Sequence, residues 1–276
     1  MKLKDLLSEK LTKKEMEFLR TSFDIVGDIA IIEIPDELEK KEKDIAKAIV
    51  SMHPNIKTVC KKTSDRSGEF RLKEMKLILG NNSETIHTEH GCKYKIDVKK
   101  VYFSPRESTE RQRISSQVKD GEKIMIMFSG VCPYAIAIAK QHPDINIYAV
   151  EKNPDGHKYA EENVKLNRVR AVVTPILGDV KKECPPYFDE CDRVAMPLPK
   201  SAYEFLDIAI KCLKDKGGII HFYHRAPEDN LFDEAVNLLK NAAKKEKRKI
   251  KILNKQRVLP YGPRMYKVCI DAKVWK

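Results

Sequence analysis

Residues 124–153 constrain the fold more than any other stretch of this chain. The apolar run Ile124-Met-Ile-Met-Phe128 has the length of a buried strand, Ser129-Gly-Val-Cys-Pro133 reads as a tight turn, and Tyr134 to Lys140 as an apolar helix. A second apolar run, Ile145 to Val150, ends on Glu151. Strand, small-residue turn, helix and parallel strand make a βαβ unit. Its turn brings backbone N–H groups against a ligand, and its second strand delivers a carboxylate to the two hydroxyls of a ribose. The pattern predicts a nucleoside-cofactor half-site, with a plain βαβ unit and a merely solvated Glu151 as the alternative.

What the turn lacks selects the nucleoside. A dinucleotide needs G-x-G-x-x-G so that its pyrophosphate can approach the backbone, and here Gly130 is followed by Cys132 and Ala135. S-adenosylmethionine carries a sulfonium and no phosphate, so it asks less of the turn and still needs the ribose carboxylate.

Strands and helices alternate onward from Lys123. Asn153-Pro154 caps a helix to Leu166, a strand over 171–177 ends at Gly178-Asp179, and Arg193 to Met196 ends at Pro197-Leu-Pro-Lys200. Ser201 and Glu204 have the spacing of a capping box for a helix to Leu213. Gly217-Gly218 leads into a strand over 219–223, and a long helix starting at Pro227 precedes two closing strands, 249–258 and 266–274. Such alternation predicts a mostly parallel doubly wound sheet, whose ligands sit at the carboxyl ends of the strands. Glu151, Asp179 and the Pro197 to Lys200 turn all occupy such ends.

Residues 1–100 read as a smaller α+β unit. Leu6, Leu7, Leu11, Phe18 and Leu19 have helical spacing over 3–19; residues 23–35 read as strand, turn, strand; and Asp36 caps a helix to Met52. Strands over 56–61, 69–79 and 94–98 follow, with Lys73, Lys76, Lys95 and Lys99 on exposed faces. His87, His90 and Cys92 are close enough to suggest a metal, but no second ligand pair accompanies them, and a polar turn between two strands is the better reading. At the junction, Ser104, Pro105 and Glu107 start a helix that puts Arg106, Glu110 and Arg113 on one face. Taken alone, that face is an exposed ion-pair ladder.

Composition narrows the partners. The formal net charge is +12 over 276 residues, which favours phosphate polyanions such as RNA or DNA, although lysine richness is also a habit of solubility or growth temperature. The seven cysteines form no C-x-x-C pair and read as free thiols. No stretch approaches the length of a membrane span and the first residues lack a signal peptide's apolar run, so a soluble, cytoplasmic, monomeric protein is expected.

The chain resembles the archaeal tRNA (guanine-37-N1)-methyltransferases, which are class I S-adenosylmethionine enzymes. The likeness is carried by residues 22–35, Gly68-Glu-Phe-Arg71, Thr85-Ile-His87 with Glu89-His-Gly-Cys92, Tyr102-Phe-Ser-Pro-Arg106 with Thr109-Glu-Arg111, Met127-Phe-Ser-Gly-Val131, Ala149-Val-Glu-Lys-Asn-Pro154 and Met196-Pro-Leu-Pro-Lys200. It implies a Rossmann-like class I methyltransferase domain over 101–276 and an N-terminal RNA-binding α+β domain over 1–100. It implies S-adenosylmethionine as cofactor, held by Tyr102, Arg106, Arg111, Phe128, Gly130, Val131, Glu151, Lys152, Asp179 and Pro197. By the same resemblance Arg71 stabilises the guanine, Glu110 is the general base, and Pro197, Pro199 and Lys200 lie beside the target base. The implied substrate is tRNA, at guanosine 37 of the anticodon arm.

Several departures widen the substrate question. Met127 stands where the family pattern has Asp, Cys132 replaces the second Gly, and Pro197 replaces the Asn that opens the fourth-strand motif. The Met127 and Pro197 changes resemble a subgroup in which some members also methylate C7 of a wybutosine precursor. Cys132 is expected to project its side chain where backbone should approach the methionine end of the cofactor. Many relatives begin with a further small domain that touches the tRNA elbow, whereas this sequence opens at the middle domain, so weaker tRNA binding is expected.

Chemistry fits these roles. Guanine N1 is a poor nucleophile until its proton leaves, which calls for a positioned carboxylate and a donor to O6, and Glu110 and Arg71 are of those types. Tyr102, Tyr134 and Tyr203 are candidates to flank a splayed base, although a plain core role is the better reading of each. Two other readings stay open: an aminocarboxypropyltransferase of wybutosine synthesis, and a non-catalytic RNA-binding relative with a decayed cofactor pocket.

Overall fold

In the computed structural model, which describes residues 2–63 and 74–276, the chain forms two units, Met1–Pro105 and Arg106–Lys276. The first opens with two short helices, α1 (Leu3–Leu7) and α2 (Lys13–Phe18), where the leucine spacing predicts one. Thr12 makes the break: its hydroxyl accepts from the Glu15 N–H and Glu15 reaches back to the Thr12 N–H, a capping box that starts a new helix. The predicted helix over 36–52 is likewise divided, a 3-10 turn over Asp36–Lys41 preceding α3 (Glu42–Met52).

Strands β1 (Phe23–Val26), β2 (Ile29–Ile32), β3 (Thr58–Lys62) and β4 (Met75–Leu79) form one sheet in that order, with β2 and β3 parallel. Leu7, Leu38, Ile45, Ile49 and Val59 close its core. β5 (Glu84–Glu89) and β6 (Cys92–Asp97) pair as a hairpin. Its turn residues His90 and Gly91 both have positive φ, as a two-residue hairpin loop requires. His87 Nδ1 accepts from the Gly27 N–H at 3.2 Å, which gives this histidine a structural partner. Gly27 is held at φ 57 against β5, where a Cβ would lie 2.1 Å from the Thr85 hydroxyl. Of the lysines expected on exposed faces, Lys76 and Lys95 pair with Glu42 and Glu84, and Lys73 lies outside the described residues.

The second unit begins at α4 (Ser108–Ser115) and then alternates: β7 (Lys123–Met127), α5 (Pro133–Gln141), β8 (Asn146–Glu151), α6 (Pro154–Leu166), β9 (Val173–Leu177), α7 (Val180–Glu183), β10 (Arg193–Met196), α8 (Leu206–Cys212), β11 (Gly218–Pro227), α9 (Asp233–Lys245), β12 (Lys249–Gly262) and β13 (Met265–Trp275). The seven strands lie in the order β12-β13-β11-β10-β7-β8-β9, with β13 antiparallel to its neighbours. This is a Rossmann-like, doubly wound sheet, and the first unit is a smaller α+β fold. The chain leaves β7 toward β8 and β9 but leaves β10 toward β11, so the order reverses between β7 and β10. Such a switch point opens a crevice at the carboxyl ends.

Two expectations fail here. Ser201 makes no side-chain cap bond, and a 3-10 turn over Ala202–Phe205 precedes α8. Pro227 does not start a helix, because β11 keeps pairing with β13 as far as Pro227↔Met265 and α9 begins only at Asp233. One face of the sheet is apolar, with Met125, Met127, Val194, Phe222 and Leu239 in its core. The other carries His221, Tyr223 and Asp271 toward α4. All seven cysteines are free and buried. Among the described residues, no helix is long and apolar enough to cross a membrane.

Candidate functional site

Register lines up the crevice. Met127 pairs with Val150, Glu151 with Leu177 and Ala195 with Ile126, so Phe128, Glu151, Asp179 and Pro197 fall along one rim. The turn after β7 is tightly wound: Phe128, Gly130 and Cys132 have φ of 59, 55 and 64. Its backbone donors are spent internally. Ser129 N–H goes to the Val150 carbonyl at 2.9 Å, Cys132 N–H to the Ser129 carbonyl at 3.0 Å, and Gly130 N–H to Glu151 Oε2 at 2.6 Å. A pyrophosphate would find these three groups taken, whereas a cofactor without phosphate does not need them.

Glu151 is half-buried at the end of β8 and also accepts the Asn153 N–H on Oε1 at 2.8 Å. With the Lys152 N–H also on this carboxylate, three of its four lone-pair positions are taken and one is left for a ribose hydroxyl. Burial pushes its carboxyl above the usual range, and the backbone N–H groups of Asn153, Gly130 and Lys152 only partly offset this. Gly156, in the first turn of α6, gives the side chain room: a Cβ there would meet Glu151 Cγ at 3.1 Å. Asn163 of the same helix, fully buried, donates to the Val131 carbonyl at 3.3 Å and braces the turn. Sequence alone gives no sign of Asn163, since its partner is 32 residues away.

Asp179 caps α7 through the Lys181 N–H and accepts from Lys152 Nζ at 2.8 Å. Burial raises its carboxyl, but Lys152 and the Lys181 N–H outweigh that and hold it below the ordinary value. Phe128 packs edge-on against Phe205, with ring centroids 5.0 Å apart. Val131 is buried. Cys132 departs from expectation: it is fully buried and its Sγ lies 3.8 Å from Ser129 Oγ. Its φ of 64 is the left-handed conformation that favours glycine, and its side chain is nonetheless wholly buried. Burial pushes this thiol up to about 12.

On β10's side, Pro197 is half-buried, Pro199 is buried and Lys200 is exposed. The Pro199 carbonyl accepts the Arg225 N–H at 3.0 Å, which fastens this turn to β11.

Glu110 is not a rung of an exposed ladder. It is 6 % exposed, and Arg113 grips it in a fork, Nε to Oε2 at 2.7 Å and a terminal nitrogen to Oε1 at 2.8 Å. The Tyr223 hydroxyl donates to Oε1 at 2.6 Å. Three of its four lone-pair positions are thereby filled, leaving one on Oε2 to take a proton. Beyond Arg113 the network continues inward to Asp271, at 2.5 Å, and from Asp271 to His221 Nδ1 at 2.7 Å. His221 Nε2 faces Arg193 at 2.7 Å, so Nε2 accepts and Nδ1 carries the proton. His221, Cys269 and Asp271 are close enough for a metal, but two guanidiniums already occupy their polar atoms.

Arg111 is buried and Arg106 exposed. Tyr134 takes the core role that is the better reading of it: it is buried and donates to Glu107 Oε2 at 3.2 Å, and Lys267 completes that cluster at 2.7 Å. Tyr203 is exposed at the rim of the second unit. Tyr102 is exposed within the first unit, and Arg71 lies outside the described residues.

The chain matches known proteins over most of its length. Residues 85–253 match the TRM5/TYW2 methyltransferase domain and residues 3–83 the TYW2 N-terminal domain. The chain is 45% identical over 258 residues to the tRNA (guanine(37)-N(1))-methyltransferase Trm5b of Pyrococcus abyssi (strain GE5 / Orsay), covering 93% of this chain and 76% of that one. The solved complex of aTrm5 and tRNALeu superposes with a TM-score of 0.86 at 35% identity, over 99% of this chain and 78% of that one. TYW2 of P. horikoshii in complex with MeSAdo gives 0.84 at 28% identity, over 99% of this chain and 98% of that one.

Proposed function

The chain belongs to the TRM5/TYW2 methyltransferase family, and on that premise we propose that it transfers a methyl group from S-adenosylmethionine to N1 of guanosine 37 in tRNA. The observation that carries the cofactor is the turn after β7, whose N–H groups are spent internally while Glu151 keeps a lone pair free. The observation that carries the target is the likeness to Trm5b and to the tRNA-bound aTrm5.

Each group then has a task. Glu151 accepts from the ribose hydroxyls, and Phe128, Gly130, Val131, Lys152 and Asp179 wall the nucleoside. Glu110 takes the N1 proton on its remaining Oε2 lone pair while Arg113 and Tyr223 fix its orientation. Arg71 donates to O6, and the Pro197 to Lys200 turn borders the base. Pro197 offers only its carbonyl, so it lacks the side chain that would hold an exocyclic amine, which favours a ring nitrogen. Methyl transfer from the sulfonium then needs in-line alignment more than further activation.

A second reading rests on the TYW2 model over residues 3–83 and the likeness to TYW2. There the same site would move an aminocarboxypropyl group to a wybutosine precursor. Mass spectrometry of product tRNA separates the two, since the formulae of the transferred groups add about 14 and about 101 daltons. An adduct of about 14 daltons on guanosine supports the first reading, and one of about 101 overturns it.

A further inference from the structure

Three strands of the second unit outrun the rest of its sheet. β10 stops pairing with β11 at Met196↔Phe222, but β11 and β13 continue for five more pairs, from Tyr223↔Cys269 to Pro227↔Met265. β12 follows on the outside, ending in the turn Gly262-Pro-Arg264. The overhang is roughly 17 Å at the rise of an antiparallel strand. It projects from the carboxyl rim, where the site lies, and its root is tied to the target-base turn by the Arg225 N–H to the Pro199 carbonyl, 3.0 Å.

The exposed cations of this arm are all arginines, in a chain where lysines far outnumber arginines: Arg225 on β11, Arg257 on β12 and Arg264 at the turn. Arg257 lies over the Tyr266 ring, 5.1 Å from its centroid, which holds the guanidinium open to solvent. Among the described residues Arg225 and Arg257 make no ion pair. Arg264 has only Glu228 at 3.8 Å, and these two side chains are 82% and 52% exposed. Edge strands often carry charge to block pairing with other chains. That need is already met here, because β12 has three register shifts and Pro260 on its edge. An unpaired guanidinium offers a planar fork that matches a phosphate in two-point contact.

We infer that this β-arm is an RNA-backbone clamp, in which Arg225, Arg257 and Arg264 bind phosphates flanking the target nucleotide. The inference rests on the proposed function for the identity of the RNA. Placing the contacts on both faces and the tip of a projecting ribbon lets the arm lie within a loop, while the Pro199 link fixes its distance from the base to be methylated.

The test is binding, not turnover. Protein saturated with S-adenosylhomocysteine is titrated with an anticodon stem-loop transcript containing G37, across a range of KCl concentrations. The variant Arg225→Ser/Arg257→Ser/Arg264→Ser is expected to bind at least tenfold more weakly near 0.1 M salt. Its log–log salt slope should fall by about 2, as three lost phosphate contacts require. The charge-keeping variant Arg225→Lys/Arg257→Lys/Arg264→Lys should retain the slope, and S-adenosylhomocysteine affinity should not change in either. If thermal unfolding shows that the triple serine variant does not fold, Arg264→Ser alone decides, with an expected slope loss of about 0.7. Wild-type RNA affinity and slope in a folded serine variant overturn the clamp. Failure of the wild-type protein to methylate the transcript would instead remove the proposed function, and leave the binding comparison to judge the arm.

Discussion

Cys132 and Glu151 shape the turn and strand end at which the cofactor is proposed to bind. A non-glycine residue at the left-handed φ of Cys132 costs about 1–2 kcal/mol, offset here by complete burial of its thiol. Because the side chain faces the core and not the crevice, Cys132→Gly should leave S-adenosylmethionine affinity within about threefold in calorimetry, while a β-branched Cys132→Val should weaken it. Glu151→Ala should weaken the same binding by about 1–3 kcal/mol through lost ribose hydrogen bonds. An unchanged dissociation constant would remove Glu151 from the ribose. The raised carboxyl of Glu151 adds a pH signature. Binding needs the ionised form, so affinity should start to fall on acidification at a higher pH than an ordinary glutamate, near 4.3, would give. The effect on fold stability has the opposite sign, since a carboxyl with a raised folded value gains stability as it protonates. Glu151 and Asp179 are legible in the sequence because a strand end is a local signal. The inward turn of Cys132 is not, because it depends on a φ that only the closed turn imposes.

At the scale of elements, α4 is tied to the sheet by a network of charged and polar side chains. Glu110, Arg113, Tyr223, Asp271, His221 and Arg193 form one buried chain, and Arg113 meets Asp271 across 158 residues of sequence. Sequence places Arg106, Glu110 and Arg113 on one helical face but says nothing of what covers it. The partners come from the β11–β13 register, in which His221 lies opposite Asp271. Removing one member strands the others, so Asp271→Ala should cost about 3–5 kcal/mol of unfolding free energy in denaturant titrations. The network also predicts acid sensitivity. Burial holds His221 below its ordinary value despite Asp271, so stability should decline as pH falls through about 6.5, where the unfolded histidine protonates first. Asp271 is opposed by burial, yet His221 and Arg113 hold it far below the carboxylate range. Its contribution is therefore lost only on further acidification, below about pH 4. A flat stability between pH 7 and 5 would contradict the neutral assignment of His221. Glu110→Gln keeps the shape but deletes the base; single-turnover transfer should fall about 10²–10⁴-fold with cofactor affinity retained. Wild-type rates would end the base assignment and leave Glu110 as a structural partner of Arg113.

For the whole molecule, the alternation of apolar strand runs and helical periods after Lys123 specifies the doubly wound sheet, because each period is a local signal. Boundaries fared worse where two signals compete. Thr12 splits the first helix although the leucines keep their spacing, and β11 runs through Pro227 because β13 supplies a partner that the sequence does not announce. The same extension of β11 creates the arm, which no local pattern predicts. The basic charge of the chain acquires a place only in the fold, with Lys200, Arg225, Arg257 and Arg264 around one rim. Labelled S-adenosylmethionine with tRNA transcripts differing only at position 37 tests methyl transfer to N1 of guanosine 37. Label should enter the G37 transcript at N1 of that guanosine and be absent from transcripts with A, C or U there; equal labelling of all four, or none of the G37 transcript, would contradict it.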